Sequence, residues 1–300
     1  MPEKPKLIAI VGPTSSGKTD LSIAVARLIN GEVISTDSRQ IYRELNIGAG
    51  KVTKKEMHGI PHHLLDIASA KRTISVAQYQ RLAAKAIRDI LKRNKIPILC
   101  GGTGLYVDSI LTNQSFPAVP PNNKLRNALA KLSTAELFGT LNKLDPIRAK
   151  TIDANNPHRL IRAIEIATAL GSVPQLKPTE SEYESLVVGL VLPREELRLR
   201  IHKRLMIRLR RGMIAEAKNL HAKGLSWKRM EALGLDYRYL AKFLQGKISK
   251  DEMIHCIEKE NWLYAKRQMV WFKRNKKIKW FSPKDSNKIL TVAKNFIKNK

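Results

Sequence analysis

The chain reads as an α/β protein: a parallel sheet flanked by helices, with an inserted small helical subdomain and a helical, basic C-terminal part. Three observations predict it. Short apolar runs alternate with helical stretches through the first half, the pattern of strand–helix–strand units whose sheet is buried on both faces. A glycine-rich octet joins the first run to the first helix. After a long polar, helical stretch an apolar run returns at 186–192, so the chain rejoins the sheet it left.

Taken in order, residues 7–11 form the first strand, and Gly12-Pro13-Thr14-Ser15-Ser16-Gly17-Lys18-Thr19 follows it, opening a helix over 19–29. The octet fits G-x-x-x-x-G-K-[ST] between a strand and a helix, which is the context a phosphate-binding loop requires. Its glycines let successive backbone N–H groups turn inward, and the helix N-terminus adds partial positive charge. Lys18 and the Thr19 hydroxyl supply a cation and a magnesium ligand. The sheet is therefore expected to be P-loop NTPase-like, with a di- or triphosphate and Mg2+ at the loop. A kinase, an NTPase and an enzyme whose leaving group is diphosphate all use this cradle, so the bond that breaks stays open. Further strands are predicted over 32–35 and 96–100, with a helix over 75–92 between them. Open parallel sheets place ligands beyond the carboxyl ends of strands. The octet, Thr36-Asp37-Ser38-Arg39-Gln40 and Gly101-Gly102-Thr103-Gly104 are thus expected to line one crevice. From Phe116 the pattern changes to short helices with polar connections, giving three segments: 1–115 as the first part of the core, 116–183 as the insertion and 184–300 as the continuation of the core. In the last, Leu197, Ile201, Leu205 and Leu209 mark a buried helix face opposite the arginines.

Charge narrows the partner. The chain holds 55 Lys and Arg against 26 Asp and Glu, a formal net charge of +29, and 29 of those bases with only 10 acids lie from residue 194 onward. That excess exceeds what solubility needs and predicts a polyanionic partner, nucleic acid or an anionic membrane surface. No apolar run approaches spanning length and the run at 7–11 is too short for a signal-peptide core. A soluble, cytoplasmic chain is expected, and a monomer, since no dimer seam shows in the pattern. Cys100 and Cys256 stand far apart without a C-x-x-C spacing, which predicts neither a zinc ribbon nor a disulfide.

Several residues carry candidate chemistry. Asp37 lies just past a strand end, where a carboxylate can take a proton from an incoming nucleophile; a magnesium-binding or helix-capping aspartate fits the same position. The glycines around Thr103 allow close backbone approach to a ligand, or simply a tight strand-to-helix turn. His62, His63 and Asp66 lack further ligands at metal spacing, so capping or core hydrogen bonding is the better reading. Arg159 and Arg162 share a helix face and can bracket a phosphate backbone, and Arg200 and Arg204 form a similar pair close after the returning strand. From Trp262 to Arg274 aromatics interleave with bases, which suits base stacking, with half of the aromatics expected in the core.

Five segments in order and at comparable spacing, the octet, Asp37-Ser38-Arg39-Gln40-Ile41-Tyr42, Gly101-Gly102-Thr103-Gly104-Leu105-Tyr106, Asn156-Pro157-His158-Arg159-Leu160-Ile161-Arg162 and Ala265-Lys266-Arg267-Gln268, make the chain resemble the bacterial tRNA dimethylallyltransferase family over nearly its whole length. The resemblance implies transfer of a dimethylallyl group from dimethylallyl diphosphate to N6 of the adenosine 3′ to the anticodon, in tRNAs that read codons beginning with U. It implies Asp37 as base with Thr103 assisting. It implies Gly12, Pro13, Thr14, Ser15, Ser16, Gly17, Lys18 and Thr19, with Arg200 or Arg204, around the diphosphate. It implies Asp37, Ser38, Arg39, Gln40 and Thr103 around the target adenine, and Arg126, His158, Arg159, Leu160, Ile161 and Arg162 on the anticodon stem. Two stretches depart from the family pattern: Gly48-Ala49-Gly50-Lys51 where Gly-Thr-Ala-Lys is usual, and Asn261-Trp262 where Thr-Arg is usual. The competing readings are a small-molecule kinase of the shikimate kinase type, a nucleotide-gated RNA-binding protein, and a prenyltransferase for free adenine nucleotides. The insertion and the basic C-terminal part speak for a bulky nucleic-acid substrate.

Overall fold

The computed structural model describes residues 3–175 and 180–299. Its centre is a six-stranded sheet in which every pairing is parallel. The chain runs β1 (Lys6–Val11), α1 (Lys18–Ile29), β2 (Gly31–Ser35), α2 (Lys54–Met57), β3 (His62–His63), α3 (Val76–Lys92), β4 (Ile96–Gly101) and α4 (Gly104–Leu111). Four helices follow, α5 (Asn123–Leu129), α6 (Thr134–Leu144), α7 (Pro146–Ala149) and α8 (Pro157–Leu170). The sheet then resumes with β5 (Glu184–Leu190), α9 (Arg194–Arg210), α10 (Met213–Ala222), α11 (Trp227–Leu233), α12 (Leu235–Leu244), α13 (Lys250–Phe272), β6 (Lys279–Phe281) and α14 (Ser286–Lys298). The strand order is β3-β2-β4-β1-β5-β6. The α/β expectation holds, and the four predicted strands are present with ends shifted by a residue or two. The edge strands β3 and β6 were not foreseen, because two and three residues are too few for a period to show.

The strands alternate between two cores, as a parallel sheet covered on both faces demands. Leu7, Ala9, Val11, Ile34 and Leu99 face one side, with Tyr79, Ala83, Ile87 and Ile90 of α3. Ile8, Ile10, Val33, Ile98, Val188 and Leu190 face the other, with Leu21, Val25 and Ala26 of α1 and Ile289 and Ala293 of α14. Each wholly buried Leu or Ile contributes about 1.5–3 kcal/mol from removal of apolar surface. The register sets the working edge: Val11 pairs with Gly101 and with Gly189, and Ser35 with Cys100. The loops after β1, β2 and β4 therefore emerge side by side at the carboxyl end, where the order reverses direction around β1.

The chain divides into two compact units, 1–113 with 180–300 and 114–179. The second has its own core of Leu129, Leu137, Leu141, Ala149, Leu160, Ala163 and Ile164. Its helix α8 starts as its sequence dictates, with the Asn156 side chain accepting the Arg159 N–H and Pro157 in the first turn. Glu165, 2% exposed, accepts both Nε and Nη2 of Arg126 at 2.7 Å and Nη1 of Arg162 at 3.2 Å. Two of the arginines expected on RNA are thus held by a buried carboxylate of their own unit. Leu160 is wholly buried and belongs to packing, a correction to its expected place on the anticodon stem: a helix that presents Arg159 outward turns the next residue into its core. His158 and Arg159 are exposed.

Candidate active site

The octet fills the turn from β1 to α1. Gly12 (φ 142°) and Gly17 (φ 91°) occupy backbone space open to glycine, and Ser15 (φ 62°) is left-handed as well. At Gly12 a Cβ would stand 2.7 Å from the Leu190 carbonyl oxygen, so the loop lies directly on the end of β5. Beyond the strand ends opens a cleft of about 900 Å³. Thr14 to Thr19, Asp37 to Gln40, the segment from Asn46 to Thr53, Arg200, Arg204, Arg208, Tyr264, Arg267 and Gln268 line it. The three loops expected to share a crevice do so.

Cations converge on the octet. The Lys18 ammonium donates to the Pro13 carbonyl at 2.5 Å, and its pKa falls to about 8, first because it is buried and further because Arg204 is near. Arg204 donates to the Thr14 hydroxyl at 3.1 Å and to the Gly50 carbonyl at 3.1 Å. Burial lowers its pKa too, and among the described residues no carboxylate reaches it at ion-pair distance. A half-buried guanidinium against neutral oxygens is a site awaiting an anion. Arg200 also lines the cleft, tied at 2.8 Å to Glu196 one turn back. The expectation that the arginines of α9 lie opposite its buried face is corrected: Arg204 and Arg208 are drawn inward beside Ile201 and Leu205, because the cleft and a buried acid give their charge a place to go. Arg208, 8% exposed, donates to Asp236 at 2.5 Å and to the Gly48 carbonyl at 2.7 Å.

Asp37 lines the same cleft. Its Oδ1 accepts the N–H groups of Arg39 at 2.7 Å and Gln40 at 3.3 Å, an Asx turn that aims the carboxylate while it lines the cleft. Thr103 caps α4, and its hydroxyl accepts the Ser38 N–H at 3.1 Å. Tyr264, whose phenol burial pushes up to about 12, lies close to the same hydroxyl. Thr103 is itself outside the cleft lining and steadies the Asp37 loop from behind. The glycines beside it leave room for helix α13: a Cβ at Gly102 would overlap the Gln268 amide, and one at Gly104 the Trp271 indole.

Sequence reasoning missed Glu216. From α10 its carboxylate accepts three successive N–H groups, Asn46 at 3.0 Å, Ile47 at 2.7 Å and Gly48 at 2.9 Å, and the Tyr237 hydroxyl at 2.8 Å. It thereby fixes the loop whose Gly50 carbonyl receives Arg204 and the Gln40 amide. The departure at Asn261 is buried, donating to Asp236 at 2.6 Å. Trp262 carries Arg194 and Arg198 over its ring at 5.5 Å. His63 pairs with buried Glu32 at 2.6 Å, His62 meets the Ile60 carbonyl at 2.9 Å, and Asp66 pairs with Lys51, in keeping with hydrogen-bonding roles.

Fold and cleft together define an α/β protein of P-loop-like architecture with a cationic, anion-seeking cleft at its strand ends. The description of the IPP transferase family matches residues 40–275, and the chain belongs to that family. It is 39% identical over 285 residues to the tRNA dimethylallyltransferase of Anoxybacillus flavithermus, covering 93% of this chain and 91% of that one. To the tRNA dimethylallyltransferase of Syntrophomonas wolfei it is 40% identical over 298 residues, covering 97% and 96%. Among solved structures, the tRNA isopentenylpyrophosphate transferase of Bacillus halodurans superposes with a TM-score of 0.75 at 35% identity, covering 98% of this chain and 97% of that one. A eukaryotic dimethylallyltransferase acting on tRNA superposes with a TM-score of 0.85 at 26% identity, covering 99% and 80%.

Proposed function

We propose that the chain transfers the dimethylallyl group of dimethylallyl diphosphate to N6 of the adenosine 3′ to the anticodon, in tRNAs reading codons that begin with U, and releases diphosphate. The observation that carries this reading is one cleft lined by both a cationic diphosphate cradle and an oriented carboxylate. The adenine N6 lone pair is delocalised into the ring, so attack on the allylic carbon requires removal of a proton as the C–N bond forms. Asp37 takes it, with the Arg39 and Gln40 amides holding its Oδ1 in place. Ser38, Arg39 and Gln40 frame the adenine, with Thr103 steadying their loop; the base must leave its stack at a cost of a few kcal/mol. As the C–O bond breaks, negative charge collects on the diphosphate, where the octet's N–H groups, Lys18, Arg200 and Arg204 receive it. Each such preorganised donor is worth roughly 2.7–4 kcal/mol of barrier.

Among the described residues no cluster of three His, Cys, Asp or Glu side chains forms a protein-only metal cage. The donor set suits magnesium, which binds through one or two protein oxygens with substrate phosphates and water. The Thr19 hydroxyl, which lines the cleft, would be its protein ligand in this reading, and the ion would supply neutralisation of charge on the leaving group. His158 and Arg159 contact the anticodon stem in this reading, with Arg126, Ile161 and Arg162. In this reading the enzyme is monomeric. Among the described residues no helix is long and apolar enough to cross a membrane, in keeping with a cytoplasmic reaction on tRNA.

The test is transfer of labelled dimethylallyl to an unmodified anticodon stem-loop with three adenines after the anticodon, wild type beside Asp37→Asn. Asparagine keeps the Oδ1 acceptor of the turn but cannot act as base. Turnover should fall about 10²–10⁴-fold while RNA binding stays within a factor of about two. No label from a folded, RNA-binding wild type would exclude the transferase.

A further inference from the structure

We infer that Gln268 is a positioning residue for the diphosphate cradle, the strut that holds the octet in its binding shape and ties it to the loop carrying Thr103. The inference rests on the reading of the cleft as a diphosphate site. Gln268 Oε1 accepts the Thr14 N–H at 2.8 Å, and its Nε2 donates to the Gly102 carbonyl at 2.9 Å. The two contacts fix the amide's orientation, since a backbone N–H only donates and a carbonyl only accepts. The side chain is 5% exposed, and Gly102 lacks the Cβ that would overlap it. One amide thus bridges the ends of two adjacent strands, β1 and β4.

Helix α13 holds that amide still. On the face that carries Gln268, Asn261 bonds to Asp236 at 2.6 Å, Tyr264 lines the cleft, and the Trp271 indole bonds to Asp108 at 2.8 Å. Spacings of three, four and three residues keep all four on one side of the helix. Thr14, the residue whose backbone Gln268 pins, is the residue whose hydroxyl receives Arg204. Without the strut the octet must be ordered by the ligand itself, and the ordering cost appears as lost affinity. Once the ligand is bound, the reacting atoms are in place, so the loss falls on KM for the diphosphate substrate and spares kcat.

The experiment is calorimetric titration of inorganic diphosphate, with magnesium present, into wild type, Gln268→Met and Gln268→Glu between about pH 5.5 and 8, each variant's fold checked by its melting curve. Methionine keeps the volume and removes both hydrogen bonds, and should weaken binding about tenfold. Ionised glutamate sets a negative charge against the Gly102 carbonyl and should weaken it more. Protonated glutamate restores both an acceptor and a donor, so the glutamate deficit relative to wild type should shrink as pH falls. A purely structural glutamine would show no such recovery. In the transfer assay both variants should raise KM for dimethylallyl diphosphate with kcat within about threefold. Wild type that binds diphosphate beside variants equal to it at every pH overturns this inference alone; wild type that fails to bind diphosphate overturns the cleft reading and this inference together.

Discussion

Lys18 is the residue at which protonation and function meet most directly. Burial, with Arg204 adding to it, brings its pKa to about 8 from 10.5. A bound diphosphate reverses that balance by favouring the charged form, so binding above pH 8 must take up a proton. Affinity for inorganic diphosphate should then fall about tenfold per pH unit above that point, with proton uptake read by calorimetry in buffers of different ionisation enthalpy. Affinity constant to pH 10 would mean that Lys18 keeps its proton in the empty cradle. Stability runs with the opposite sense. Between pH 8 and 10.5 the unfolded chain binds more protons at this site than the folded one, so stability rises with pH across that window. Lys18→Met should remove the slope and raise the melting temperature at neutral pH by a few degrees. The octet and Asp37 were readable because their motif and their place after a strand are local. Glu216 and Gln268 were not, since their backbone partners lie 166 to 254 residues away along the chain and no spacing in sequence encodes that meeting.

At the scale of elements, α13 shows how one helix can govern several loops. Its sequence carries an aromatic and basic texture that suggests base stacking, yet Phe272 is buried, Trp271 is bonded to Asp108, and Arg274 stacks on Trp271 at 3.9 Å. Tyr264 and Arg267 alone among the aromatics and bases from Trp262 to Arg274 line the cleft. A period of 3.6 tells which residues share a face and says nothing of whether that face meets core, loop or ligand. The glycines after β4 carried the same ambiguity, resolved here in favour of helix packing. Gly104→Ala should therefore push Trp271 off Asp108 and destabilise the chain by roughly 1–3 kcal/mol. Trp271→Leu should cost stability by itself, and the double variant should cost less than the two single losses combined, because the second change removes the overlap made by the first. Urea melts of the four proteins form the cycle; additive losses would mean that Gly104 and Trp271 act independently.

For the whole molecule the question is what a net charge of +29 does. Part of the basic excess is taken up within the fold: Arg204 and Arg208 serve the cleft and its wall, and Glu165 holds Arg126 and Arg162. The total was legible in the sequence, but which bases remain for a partner was not, since that depends on folding around a few buried acids. Those left outward include Lys273, Arg274, Lys276, Lys277 and Lys279 at the end of α13 and into β6, and Lys284, Lys288, Lys294 and Lys298 beyond. Such side chains attract phosphates without reading sequence, so they should govern affinity for RNA and its salt dependence. With roughly five to eight phosphate contacts to a single-stranded loop and its stem, log affinity for an anticodon stem-loop should fall against log salt with a slope of about −4 to −6. Diphosphate binding inside the cleft should follow salt more weakly, because its cations are half-buried and less screened. Replacing three of the lysines between 273 and 279 by glutamine should flatten the RNA slope by about two and leave diphosphate affinity unchanged. A slope that does not move on that substitution would shift the RNA interface away from this surface, and a diphosphate affinity that falls with it would show that the exposed bases and the cleft act as one field.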